Sequence, residues 1–143
     1  MTVLTSTGTV IKIGNGANPE VFTAIGQIKD ISGPSFELGT EDASHHGSTW
    51  REYVPTLLDA GEVSFEIAFD PADSTHYSTT AGSLWHSMQN RIKRNFQLIL
   101  PDPGAFQIDF SGYVTSFELS EPVEGLLTAQ ITIKLSGSVT ITP

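Results

Sequence analysis

Two adjacent histidines, His45 and His46, follow four residues behind the acidic pair Glu41 and Asp42, so nitrogen and carboxylate donors share one short polar stretch. Such donors can hold a divalent metal. Neighbouring side chains on an extended chain point to opposite sides, however, so one ion would reach one histidine and need its remaining ligands from elsewhere. A polar contact loop needs no such help, and no metal is expected. His76 and His86 stand alone, the first near a turn and the second on a helix face away from Met88. Both are expected at the surface rather than as catalytic bases. The sixteen acidic residues make chance carboxylate pairs easy, so a glycosidase pair gains little support. Gly14-Asn15-Gly16 lacks the following Lys and Ser/Thr, or a helix start, that a phosphate cradle requires, and reads as a turn. The chain has no cysteine and no Gly-x-Ser-x-Gly. No enzymatic activity and no cofactor is expected.

Trp50, Tyr53, Trp85 and Tyr113 could stack on sugars, as in carbohydrate-binding β-sandwich modules. Trp85 sits beside an apolar helical stripe and is expected in the core. Trp50 and Tyr53 flank Arg51 on a predicted loop, and aromatics with an arginine are the usual anchors of protein interfaces.

Sixteen acidic residues against seven basic ones give a formal charge of −9. Gripping nucleic acid depends on Lys and Arg neutralising phosphates, and this balance would repel DNA. The one basic cluster, Arg91, Lys93 and Arg94, reads as a solvated turn or subunit contact, with an anion site as the alternative. The N-terminus lacks the basic start and apolar run of a signal peptide, and no stretch reaches the roughly 18 apolar residues of a membrane span. A soluble chain, not exported by that route, is expected. At 143 residues, residues 1–143 are expected to form one domain able to bury roughly 68–70% of its unfolded surface.

The elements that must position these residues are mostly strands. Glu62 to Phe69 alternates without fault, Val63, Phe65, Ile67 and Phe69 on one face and Ser64, Glu66 and Ala68 on the other. Thr9 to Ile13 leads into a Gly/Asn turn and reads as the first arm of a hairpin. Val21 to Ile31 and the weaker Ser35 to Thr40 follow as strands. From Glu41 to Gly61 little regular structure is expected, although Trp50, Tyr53, Val54, Leu57 and Leu58 are too apolar for an idle loop; connections of this length are usually functional. Thr79 to Ile92 reads as the single helix, capped by Thr79 or Thr80. Asn95 to Leu100 is a strand. In the next one the apolar parity shifts from Phe106, Ile108 and Phe110 to Tyr113, Phe117 and Leu119, which places a bulge or bend at Ser111-Gly112. Leu127 to Ile141 keeps one parity and reads as a long strand bent at Gly137. The expectation is a mainly β fold of about seven strands, an antiparallel β-sandwich or partial barrel with one packed α-helix.

Several stretches, in their order and spacing, resemble the major tail tube proteins of long, non-contractile bacteriophage tails. They are Ile28-Lys29-Asp30-Ile31-Ser32-Gly33-Pro34-Ser35, Trp50-Arg51-Glu52, Pro55-x-Leu57-x-Asp59-x-Gly61-Glu62-Val63, Phe69-Asp70-Pro71, Phe110-Ser111-Gly112-Tyr113-Val114 and Ala129-x-Ile131-Thr132-Ile133-Lys134-x-Ser136-Gly137. The similarity runs from about Thr9 to Ile141. It implies a β-sandwich with a flanking helix (the tail tube fold), hexameric rings stacked into a tube of the virion tail, and a chain made in the host cytoplasm. It further implies tail tip and terminator proteins as partners, no membrane, and DNA that transits the lumen without specific binding. Some relatives carry an immunoglobulin-like domain after the tube domain; none is expected here. The long loop at about 41–61 is the implied inter-ring contact, with His45, His46, Trp50, Arg51, Tyr53 and Leu57 as its candidate residues. Six copies at −9 each carry −54 per ring, and an acid-lined lumen would keep phosphates off the wall. Glu66, Gln107, Asp109, Thr128, Gln130 and Thr132 are the candidate lumen residues. The alternatives are the tube protein of a contractile tail or type VI secretion system, and a carbohydrate-binding module.

Overall fold

The computed structural model describes residues 7–143; residues 1–6, the start of the stretch read for a leader, lie outside them. The chain order is β1 (Val10–Gly14), β2 (Phe22–Ala24), β3 (Ile28–Ser32), β4 (Glu37–Asp42), β5 (Tyr53–Asp59), β6 (Glu62–Ala68), α1 (Leu84–Gln89), β7 (Arg94–Ile99), β8 (Gln107–Ser120), β9 (Thr128–Leu135) and β10 (Thr140–Thr142). Eight strands form one antiparallel sheet in the order β2-β1-β7-β8-β9-β6-β3, with β10 also on β8. The other two, β4 and β5, pair only with each other. The described residues thus form ten strands rather than about seven, and the mainly β, partly closed architecture is as expected.

Strict alternation fixes which side of the sheet is buried. Val63, Phe65 and Ile67 of β6, Ala129, Ile131 and Ile133 of β9, Phe96 and Leu98 of β7, and Ile11 and Ile13 of β1 all point into one core. Each large side chain so buried is worth about 1.5–3 kcal/mol. The residues between them face the other way and are polar.

The sheet must curl strongly. β2 and β3 sit at its opposite ends, yet only Ile25, Gly26 and Gln27 separate them in the chain, a connection that spans at most about 14 Å. Val21 to Ile31 is therefore two strands, not one, because its Gly26 turn carries the chain from one edge to the other. The barrel stops short of closing: a gap of about 530 Å³ between β3 and the ends of β1 and β7 is lined by Ile28, Ile31, Leu98 and Leu100.

His76 secures that turn, which overturns its expected place at the surface. It is 0% exposed, its Nδ1 accepts the Asp70 N–H at 3.1 Å, and its Nε2 donates to the Gly26 carbonyl at 2.6 Å. This pairing fixes the tautomer with the proton on Nε2. Thr75 Oγ1 accepts the Gly26 N–H and donates to Asp73. Burial raises the Asp73 carboxyl, but hydrogen bonds from the Thr75 hydroxyl and N–H and the nearby His76 outweigh it, holding Asp73 below the ordinary aspartate value.

The helix is shorter than expected. Gly82 takes φ +105°, so the cap falls to Ser83, whose Oγ accepts the His86 N–H, and left-handed Arg91 ends the run. Trp85 packs edge-on to Phe117, which meets Phe69, itself stacked on His76. His86 is half-buried rather than at the surface. Arg94 is buried, not solvated, and donates from Nε to Ser87 Oγ at 3.3 Å; Arg91 and Lys93 are exposed.

The bulge in β8 lies at Thr115, between Val114 and Ser116, rather than at Ser111-Gly112. Gly112 keeps the inward parity because it faces the β9 backbone so closely that a Cβ would strike the Lys134 carbonyl. Tyr113 consequently points outward. The last long strand is broken: β9 and β10 run along the same edge of β8, but Ser136 to Val139 loop out at left-handed Gly137 and shift the register by two.

Candidate assembly surfaces

The stretch expected to lack regular structure is a β-hairpin arm. β4 and β5 pair from Glu37↔Asp59 to Asp42↔Tyr53, with a register shift between Leu38 and Thr40. Gly39 permits the shift, since a Cβ there would meet the Thr56 hydroxyl. The hairpin is hidden in the sequence because Pro55 interrupts the alternation; Pro55 is accommodated on a strand whose one hydrogen-bonded neighbour among the described residues is β4. At its tip, Ala43 N–H donates to Glu52 O, Glu52 N–H to Ser44 Oγ, and Ser48 N–H to His45 O. His45 Nδ1 accepts the Gly47 N–H at 3.2 Å, which commits that nitrogen to the turn. Among the described residues no group of three or more His, Asp or Glu is placed to hold a metal. Arg51 lies 3.7 Å from Asp42 in an exposed pair.

Nearly every residue of the arm is exposed, and three large apolar ones are almost fully so: Trp50 84%, Leu57 85% and Leu58 80%. Phe36, Leu38, Tyr53 and Val54 are about half exposed. A two-stranded ribbon is marginal alone in water, and a contiguous apolar surface of this kind marks an interaction site. Of the residues expected to make the contact, Trp50, Tyr53 and Leu57 share this arm with His45, His46 and Arg51. Val54 and Leu58, already too apolar for an idle loop in the sequence, join them, and so do Phe36 and Leu38, for which the alternation of the two is the available signal.

The second surface is the outward face of the sheet. All six residues proposed for the lumen lie on it. Glu66, Thr128 and Gln130 line one shallow depression with Glu118 and Ser120. The register sets them in cross-strand rows: Tyr113–Lys134–Glu62, then Ser116–Thr132–Ser64, then Glu118–Gln130–Glu66. The first row pairs a lysine with a glutamate, the second is neutral, and the third carries two carboxylates across two strand spacings, roughly 10 Å. Gln107 and Asp109 lie beyond the Thr115 bulge, on the part of β8 between β7 and β10, where Gln107 Nε2 donates to Asp109 Oδ1 at 2.7 Å. Glu118 joins this face although it is not among the sequence candidates; the signal for it is the apolar parity of Phe117 and Leu119, which leaves Glu118 between them on the outward side.

Two ladders are left open. Among the described residues, the Tyr113–Ser120 half of β8 pairs with β9 on one side only, and β3 pairs only with β6. Between them, β9 and β6 complete a four-stranded sheet with a polar outer face and no strand, among the described residues, on either edge.

The family model for the lambda phage tail tube protein matches residues 2–142. Three solved structures are similar over almost the whole chain. One is the tail of an empty gene transfer agent particle computed with C6 symmetry, with TM-score 0.75 and 18% identity, covering 99% of this chain and 100% of that one. Another is the sheath/tube terminator of an extracellular contractile injection system in its extended state, at 0.73 and 11%, covering 100% and 99%. The third is the SPP1 tail tube, at 0.70 and 13%, covering 97% and 78%. At these identities the likeness is one of fold. A search of curated protein sequences finds no match.

Proposed function

The chain belongs to the lambda phage tail tube protein family, and from that premise we propose that six copies join edge to edge into rings that stack as the tail tube of a virion. The observation that carries this reading is the four-stranded sheet with both edges unpaired among the described residues and a polar outer face. An open edge with bare N–H and C=O groups is a hazard in a monomer and a joint in a closed ring, where every ladder finds a partner. The C6 symmetry of the similar gene transfer agent tail supports six as the number.

In such a ring the polar face would line the conduit. Glu66 and Glu118 would then set twelve carboxylates at one level, while the neighbouring Ser116–Thr132–Ser64 row is neutral and Lys134 beside Glu62 leaves the row after it near neutral. With a Debye length of about 8 Å at physiological salt, only charges close to the DNA path repel it, and these qualify. The genome would pass without binding. The role is structural rather than catalytic, in a tail that also needs tip and terminator proteins at its two ends and whose subunits are made in the host cytoplasm.

The arm would reach a neighbouring ring. Contractile systems share the fold, but the family match is to a phage tail tube, and it leaves a carbohydrate-binding module without support. Negative-stain microscopy of the purified protein tests the reading: hollow tubes or six-fold rings are expected, and persistent monomers at high concentration would refute it.

A further inference from the structure

The two ends of β9 present complementary shapes. At its start, the 120–127 loop carries Val123, fully exposed at 105%, with Leu126 and Leu127 also exposed, and is fixed at its base by the Phe69 N–H to the Leu127 carbonyl. At its other end, about 23 Å away along the strand, the root of the arm and the looped-out segment before β10 form a groove of about 530 Å³. Phe36, Leu58, Ala60, Val139 and Ile141 line it. One end is an apolar knob and the other an apolar hollow.

Charge matches as well. Glu121 and Glu124 flank Val123, whereas the Lys93 ammonium stands beside Gly137 at the groove, 4.0 Å from where a Cβ would be. The one acid in the lining, Asp59, has an oxygen engaged by the Gly61 N–H at 2.8 Å. We infer that the groove receives the 120–127 loop of a second copy of this chain. Val123 and Leu126 enter among Leu58, Val139 and Ile141, and a loop glutamate meets Lys93. Because each copy has one knob and one hollow at opposite ends, the contact is heterologous and repeats in one direction without closing on a pair. It rests on the tube reading and adds to it a polarity: loop end of one ring onto groove end of the next.

The absence of cysteine from the chain makes the test clean. The double variant Val123→Cys, Ile141→Cys is assembled under reducing conditions and then oxidised with diamide, which takes two electrons and two protons from each thiol pair to form a disulfide and the diamide hydrazine. Bridging needs Cα atoms within about 7 Å. On a non-reducing gel a ladder extending well past six subunits is expected, while either single variant stops at dimers. A ladder that ends at six would place the contact within one ring and overturn the inference, as would tubes that form no cross-link. Val123→Asp is the second arm: rings should persist and tubes should be lost, and normal tubes would overturn the inference. If the unmodified chain forms neither rings nor tubes, the tube reading falls and this inference with it.

Discussion

Removing the indole of Trp50 should separate folding from assembly. The side chain is 84% exposed in the single copy, so Trp50→Ala takes almost nothing from the subunit's own packing, and its melting temperature should stay within about 2 °C. If the arm seats Trp50 against a neighbouring ring, roughly 200 Å² of aromatic surface is lost from that contact. At about 25 cal/mol per Å² the transfer value is about 5 kcal/mol, and truncation of a central anchor commonly costs 2 kcal/mol or more. Even about 2 kcal/mol at each of six positions comes to about 12 kcal/mol per junction between rings, or about nine decades in the constant for adding a ring. Size-exclusion chromatography, a thermal melt and negative-stain images of the same preparation read all three levels. Rings or monomers with an unchanged melt and no tubes are expected. Tubes of normal length would refute the placement of the anchor, and a melt lowered by several degrees would show that Trp50 packs on its own chain.

Reversing the acidic row with Glu66→Lys and Glu118→Lys changes it from −2 to +2 per copy; tubes should still form, and DNA release from the particle should slow by tenfold or more, with unchanged release counting against a lumen position. His76→Ala leaves the Asp70 N–H and the Gly26 carbonyl without their buried partner, so urea unfolding of the subunit should show a loss of about 3 kcal/mol; a loss under 1 kcal/mol would contradict the pin. Asp73 is held below its ordinary value, so its contribution is fully present above about pH 4 and fades as pH falls through the folded value. Asp73→Asn should therefore be less stable than the unmodified chain at pH 7 but lose less on going to pH 3, as paired thermal melts would register.

The legible parts of this fold are those in which one rule acts alone. The period-2 runs of β6, β7 and β9 read directly because one face of each is buried and the other is not. β8 was legible as a strand but not in detail. Gly112 sits in an inward position with no side chain to report it, so the parity change seemed to come there instead of at Thr115. The arm was legible as a surface, from Trp50, Leu57 and Leu58 standing where no core awaited them, and illegible as a hairpin, because its strands pair only with each other and follow no core-facing period. His76 was out of reach, since its burial depends on Gly26, fifty residues away. The lumen candidates came from alternation alone, and alternation tells which residues share a face but not which half of a bent strand they occupy. Hence Glu66, Thr128 and Gln130 fall together while Gln107 and Asp109 lie apart.

Placing β2 and β3 at opposite rims of a sheet that curls back on itself has a consequence during synthesis. β1 hydrogen-bonds to β7 and β6 to β9, so the first third of the polypeptide leaves the ribosome with none of its long-range ladders available. Those pairings wait for segments that emerge up to 89 residues later, from Val10 to Ile99, a high-contact-order route that is slow. The delay is also a safeguard. The β8 rim through which copies would join is completed only when β9 emerges and pairs with it, so a subunit acquires that joint late in its own folding.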